Sequence, residues 1–144
     1  MVPAFIAYTA SAQISFNTGN PQLDTDLNVI NAYAISDIGS FKAEMSLSYN
    51  LTERNFDYMH GSLHMEPGEI YLAVEISKIG KISLDNVISI YQTDKSKGWG
   101  YIAKQAGIKP GSAEFQQLKN NANSKKEKGP GKKQSPAKGN QKKK

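Results

Sequence analysis

Residues 65–80 read MEPGEIYLAVEISKIG, and this stretch decides the fold. Pro67 suits the first position of a helix, where its missing N–H would have no partner in any case. On a helix starting there, Ile70, Ala73, Val74 and Ser77 fall on one side, and Leu72, Ile76 and Ile79 on another. So wide an apolar face needs neighbours all round, which predicts the central helix of a bundle. Gly80 is the expected C-terminal stop.

The flanking sequence supplies those neighbours. Upstream, Asn20-Pro21 predicts a capped helix carrying Leu23, Leu27, Ile30 and Ala34 to about Ser36. Asp37 caps a second helix with Ile38, Phe41, Met45 and Tyr49 on one stripe, and Thr52 a third with Phe56 and Met59 inward, stopped at Gly61. Downstream, Ser83 caps a fifth helix with Leu84, Val87, Ile88 and Tyr91, and Ile82 is placed to act as a hydrophobic staple. A polar DKSKG connection leads to a sixth helix with Trp99, Ile102, Ala103 and Ala106, ended by Gly107. Gly98 and Gly100 flank Trp99 and are read as giving the indole room. After the Pro110-Gly111 turn, Ser112 caps a seventh helix with Phe115 and Leu118. The expected class is all-α, a bundle of six to seven short helices; only the segment around Gln13 to Phe16 hints at a strand.

The charge is divided unevenly. The last 20 residues hold nine lysines and one glutamate, a net of +8, which leaves 9 basic against 12 acidic residues elsewhere, or −3. A segment built from Lys, Gly, Pro, Ser, Gln and Asn cannot bury enough apolar surface to offset the entropy of ordering, so residues 124–144 are expected to be a disordered tail after a helical domain at 13–123. Its candidate polyanion-binding residues are Lys125, Lys126, Lys128, Lys132, Lys133, Lys138, Lys142, Lys143 and Lys144. Ammonium groups act on phosphate or other anions as point charges, which implies salt-sensitive, sequence-indifferent attraction. Ser135-Pro136-Ala137-Lys138 resembles the S-P-x-K element of linker-histone tails. A purely solubilising role for the tail is the alternative.

At the other end, MVPAFIAYTASA (residues 1–12) closes on Ala10-Ser11-Ala12, the small-residue pattern of a signal-peptidase site. The reading is the remnant of a signal peptide, truncated at its start, and hence a periplasmic or secreted protein; an N-terminal strand or hydrophobic arm of the fold is the competing reading. No other apolar run approaches the roughly 20 residues of a transmembrane helix. With zero cysteines the chain has no disulfide framework and no thiol chemistry.

Three further features bear on function. Ile102-Ala103-x-x-Ala106-Gly107-Ile108 matches the Ala-and-Gly core of a helix-turn-helix, which would make the last three helices a trihelical unit. Its reading helix offers Gln116, Gln117, Lys119 and Asn120 but no Arg, and Glu114 would repel phosphate. A cytoplasmic DNA-binding protein using the helix-turn-helix-like residues 98–121 and the basic tail is the alternative function. His60 and His64, with Met59 and Met65 beside them, form a weak candidate for a copper site that lacks a third spaced ligand. Lys95, Lys97, Tyr101 and Lys104 form a candidate aromatic and basic surface patch suited to stacking on a base or a sugar. No catalytic residues are identified: there is no nucleophile elbow, P-loop or dinucleotide fingerprint, and the acidic residues are expected on polar faces and caps. No enzyme activity and no cofactor are expected. The Asn50-Leu51-Thr52 sequon is read as incidental.

KGWGYIAKQAGIKPGSAEFQQLK, residues 97–119, resembles a segment of small exported bacterial proteins of no established activity, which reads GKGWGxIAKxxGIKPGSxEFxxLK and precedes a Lys/Gly-rich tail. The segments DIGSFKAEMSLSYN, DYM and MEPGEIYLAVEI look like the same family, so the likeness covers most of the body. The resemblance implies an exported helical domain and names no activity; Gln116 stands where that family has His. The resulting expectation is an exported, non-enzymatic binding or envelope-associated protein. Its tail would tether it to an anionic partner such as an envelope polymer, lipopolysaccharide or nucleic acid.

Overall fold

The computed structural model describes residues 14–128. They form seven α-helices: α1 (Pro21–Ser36), α2 (Ile38–Tyr49), α3 (Glu53–Asp57), α4 (Pro67–Gly80), α5 (Leu84–Asp94), α6 (Trp99–Gln105) and α7 (Ala113–Lys128). A π-helical turn, Tyr58–Ser62, follows α3, and a 3-10 turn, Lys95–Lys97, precedes α6. The expected all-α class holds.

Helix α4 is the axis of the bundle. From Pro67 to Ile76 every residue but Glu69 is buried, and α1, α2, α5 and α7 all pack against it. Side-chain caps start most of the surrounding helices. Asn20, Asp37, Thr52, Ser83 and Ser112 each accept the backbone N–H three residues on, satisfying one of the donors that a helix N-terminus leaves unpaired.

The N-terminus of α4 is where distant segments meet. The Asn31 Oδ1 of α1 accepts the Gly68 N–H at 2.7 Å, and Glu69 reaches back to the Glu66 N–H at 2.9 Å. The other Glu69 oxygen accepts the indole N–H of Trp99 at 3.1 Å. Tyr91 stacks on that indole with centroids 5.4 Å apart. A Cβ on Gly68 would lie 2.9 Å from the Phe16 ring and 3.0 Å from Asn31 Cβ, so only glycine admits both neighbours.

Phe16 belongs to an extended arm, and here the strand expectation is corrected. Among the described residues there is no strand. Ile14 exchanges two hydrogen bonds with the Asn28 side chain, at 2.8 and 3.0 Å, as it would with a strand neighbour. The Phe16 and Asn17 carbonyls accept the N–H groups of Trp99 and Gly100 at 2.9 and 2.8 Å, and so cap α6. The two glycines around Trp99 make room for this arm rather than for the indole. A Cβ on Gly98 would meet Asn17 Cβ at 2.7 Å, and one on Gly100 would meet the Thr18 carbonyl oxygen at 2.7 Å.

Other boundaries shift for local reasons. The left-handed residue that ends α4 is Lys81 (φ 57°), not Gly80. Gly80 is where the Ala106 carbonyl approaches to 2.9 Å of a would-be Cβ. Gly61 does not stop the chain; it sits within the π-helical turn, which is closed by Leu63 N–H to the Tyr58 carbonyl and followed by Met65 N–H to the Met59 carbonyl. Ile38 is exposed, so the α2 stripe buries Phe41 and Met45 but not its first member. Helix α7 continues to Lys128, past the expected boundary at Asn123. Lysine is a good helix former, and its charge suits a helix C-terminus. Helix α7 packs mainly on α1 and α4, whereas α6 packs on α5.

Two glycine substitutions separate close approach from simple flexibility. Gly100→Ala drives a methyl into backbone and is expected to cost about 1–3 kcal/mol. Gly39→Ala meets nothing nearer than 4.0 Å, and it should leave stability unchanged or raise it by up to about 1 kcal/mol through helix propensity. Urea denaturation midpoints of the two variants check the opposite signs.

Candidate functional site

Helices α2, α4 and α7 do not close completely against one another. Between them lies a cavity of about 570 Å3, within the range of small-ligand pockets. Tyr71, Glu75 and Lys78 face it at helical spacing from α4, Glu44, Ser48 and Tyr49 from α2, and Gln117, Asn121, Ser124, Lys125 and Lys128 from α7. Lys81, just past α4, completes the lining with Ile79.

At the floor sits a carboxylate. Glu75 is 3% exposed; it accepts the Tyr49 hydroxyl on one oxygen and the Asn121 amide, at 2.9 Å, on the other. These bonds answer much of the cost of burying the charge. The Tyr71 ring stands edge-on to Tyr49 with centroids 6.2 Å apart, and its hydroxyl lies close enough to feel Glu75 and Tyr49. That hydroxyl is fully buried yet makes no hydrogen bond of acceptable geometry, which is unusual for a buried polar group. Burial, followed by the Glu75 charge, pushes both phenols well above their ordinary range. Both hydroxyls therefore remain donors.

The rim is cationic. The Lys78 ammonium lies 5.1 Å from the Tyr49 ring centroid. Lys125 stands 2.6 Å from Glu44 and 5.7 Å from the Phe41 ring. Lys78, Lys81 and Lys128 form no ion pair among the described residues.

A second buried carboxylate fixes the other side of α7. Asp26 on α1 is 1% exposed; it accepts Gln22 Nε2 at 2.8 Å and Lys126 Nζ at 2.9 Å, with Asn123 Nδ2 at 3.5 Å. Asp26 raises the Lys126 pKa through that hydrogen bond. Burial of Phe115 and Leu118 contributes about 1.5–3 kcal/mol each, more than a partly exposed ion pair usually does. The apolar face thus docks α7, and the two lysine pairs hold its last turn in register.

Of the nine tail lysines, Lys125 and Lys126 are therefore held on body carboxylates, and Lys128 ends α7 at the cavity rim. Lys132, Lys133, Lys138, Lys142, Lys143 and Lys144 lie outside the described residues, as does the signal-like residues 1–12 stretch. Of the candidate aromatic and basic patch, Lys97 lies 4.8 Å from the Tyr101 ring centroid, whereas Lys95 lies 5.7 Å from that of the buried Tyr91, and Lys104 is exposed. The copper candidates divide, because Met59 and Met65 are buried in the core whereas His60 and His64 are exposed. Among the described residues no group of three or more His, Asp or Glu converges as a metal site. On α7, Glu114, Gln116, Gln117 and Asn120 are exposed and Lys119 is half-buried.

Sequence reasoning placed the carboxylates on polar faces and so missed Glu75 and Asp26. For Glu75 a signal existed, since it is the single charge inside the apolar run IYLAVEI. For Asp26 two of the three partners, Asn123 and Lys126, lie on a helix 97 and 100 residues away. Comparison of the chain with protein-family models, with curated proteins and with solved structures finds no match.

Tyr91 is likewise pushed up, to about 12, by burial and then by Glu69. Tyr49, Tyr71 and Tyr91 all fold as neutral phenols with raised pKa values. Their contribution to stability is full below the ordinary phenol value of about 10 and is lost as pH climbs through the raised ones. Spectrophotometric titration is expected to show these three phenolates forming above about pH 10, together with loss of the helical circular dichroism signal. Ionisation of all three without unfolding would contradict their burial.

Proposed function

We propose that this protein is an exported, non-enzymatic helical module that attaches to anionic polymers through its lysine-rich C-terminal segment. The observation that supports this most directly is the placement of positive charge. Residues 129–144 carry six lysines and no acidic residue. They continue from α7 at a rim where Lys78, Lys81 and Lys128 are already unpaired among the described residues. In sequence these lysines follow directly on that rim, whereas residues 14–128 balance 12 basic against 13 acidic side chains. Attraction would be confined to that end, and lysine favours phosphate, sulfate or carboxylate without reading sequence. The signal-like residues 1–12 set the compartment in this reading, and with it the polymer: an envelope polymer, lipopolysaccharide or extracellular nucleic acid.

Lys125 and Lys126 are engaged within the body, so the discriminating variant replaces only the six lysines beyond Lys128 with glutamine. It is expected to elute from a polyphosphate or heparin matrix at much lower salt than the parent. The slope of log affinity against log salt should flatten by about 0.7–0.9 per lost contact, and an unchanged elution salt would sink the tethering reading. Mass spectrometry of the protein from its native host is expected to give a chain beginning at Gln13. Recovery of intact Met1 or Val2 would overturn export.

A further inference from the structure

We infer that the cavity between α2, α4 and α7 binds a small polyhydroxylated acid, namely an anionic sugar unit bearing a phosphate or a carboxylate. This extends the polymer-tethering reading, on which it rests only for the wider polymer and not for the chemistry of the cavity.

The floor offers what a ring of hydroxyls needs. Tyr71 presents a fully buried hydroxyl that, beside Glu75 and Tyr49, makes no protein hydrogen bond of acceptable geometry. A ligand hydroxyl accepting from it would supply the missing partner, whose absence otherwise costs free energy. Glu75 has lone pairs beyond the two used by Tyr49 and Asn121 and can accept from a hydroxyl. Ser48, Gln117 and Ser124 line the walls with neutral donors and acceptors. A purely apolar ligand would leave these groups dry and unpaired, and an inorganic ion would leave most of the 570 Å3 empty.

The mouth selects the charge. Lys78, Lys81 and Lys128 line it without ion-pair partners among the described residues. An acid group held there meets ammonium groups, while the Glu75 carboxylate is buried and bonded to Tyr49 and Asn121. A cationic ligand would meet the opposite gradient, since Lys125 already neutralises Glu44 at 2.6 Å. The ligand therefore lies acid outward and hydroxyls inward, beside the half-buried Tyr49 ring.

The test uses the full chain, with glucuronic acid and glucose 6-phosphate as probes and glucose and inorganic phosphate as controls, read by amide chemical-shift changes and calorimetry. Either acid sugar is expected to shift the amides around Tyr71, Glu75 and Asn121, with glucose and phosphate at least about tenfold weaker. Tyr71→Phe should weaken probe binding about tenfold, the loss of one hydrogen bond. It should change the thermal midpoint little, because the hydroxyl it removes makes no protein hydrogen bond of acceptable geometry. A lowered midpoint with unchanged binding would mean a structural hydroxyl and overturns the inference. The double variant Lys78→Gln, Lys81→Gln alters only lysine positions outside the core and should abolish the preference for acid over neutral sugar; a retained preference also overturns it. With the six lysines beyond Lys128 changed to glutamine, polymer attachment should fall while probe binding persists. Failure of the tether and failure of the cavity site are thereby read separately. Absence of any shift with either acid sugar at millimolar concentration refutes the site.

Discussion

The carboxylate of Glu69 is the constraint on which the architecture depends. One oxygen takes the backbone N–H of Glu66 and so closes the first turn of α4; the other takes the Trp99 indole and so brings in α6. Trp99 in turn donates its backbone N–H to Phe16 and stacks on Tyr91 of α5. One side chain thus couples the central helix to the arm, to α5 and to α6. Helix-end donors are costly to bury without partners, and here the donors of two helices are satisfied by segments distant in sequence. The glycines at 68, 98 and 100 follow from the same requirement, because each is a place where another chain segment passes too close for a Cβ.

This accounts for the sequence segments that stand out most. GWG and EPGE look like the makings of a binding motif, with an aromatic between glycines and acids around a proline. In the folded chain they are two halves of one internal joint. The aromatic and basic patch beside them is a surface consequence, with Lys95 and Lys97 resting on the outer faces of Tyr91 and Tyr101. The candidate site lies elsewhere, at the opposite end of α4, where Glu75 interrupts the apolar run and the helices leave a space. Polar groups inside an otherwise apolar helix reduce stability unless they are fully bonded. Glu75 is bonded on both oxygens and Tyr71 is not, and that asymmetry distinguishes a cavity with chemistry from a packing defect.

Helix α7 connects this site to the charge of the tail. Its apolar face docks on α1 and α4, and its last turn is held by Lys125 on Glu44 and Lys126 on Asp26. The basic region is therefore divided between lysines that complete the body and lysines that continue beyond it. Composition treats them alike, and only the carboxylates that hold Lys125 and Lys126 set those two apart.

What the sequence by itself determined was local. Seven helices, their side-chain caps, the central place of α4 and the inward stripes are all set by residues within about four positions of one another, the range over which propensity, capping and helical period act. The split of charge between body and C-terminal segment was equally legible. The tertiary structure alone decided which segment each glycine accommodates, that Ile14 pairs with an asparagine side chain instead of a strand, and that α7 runs through Lys128. It also decided that Tyr49, Tyr71, Glu75 and Asn121 converge. These features depend on partners 14 to 100 residues apart, and a one-dimensional pattern carries no information about which surfaces of different helices will face each other across a core.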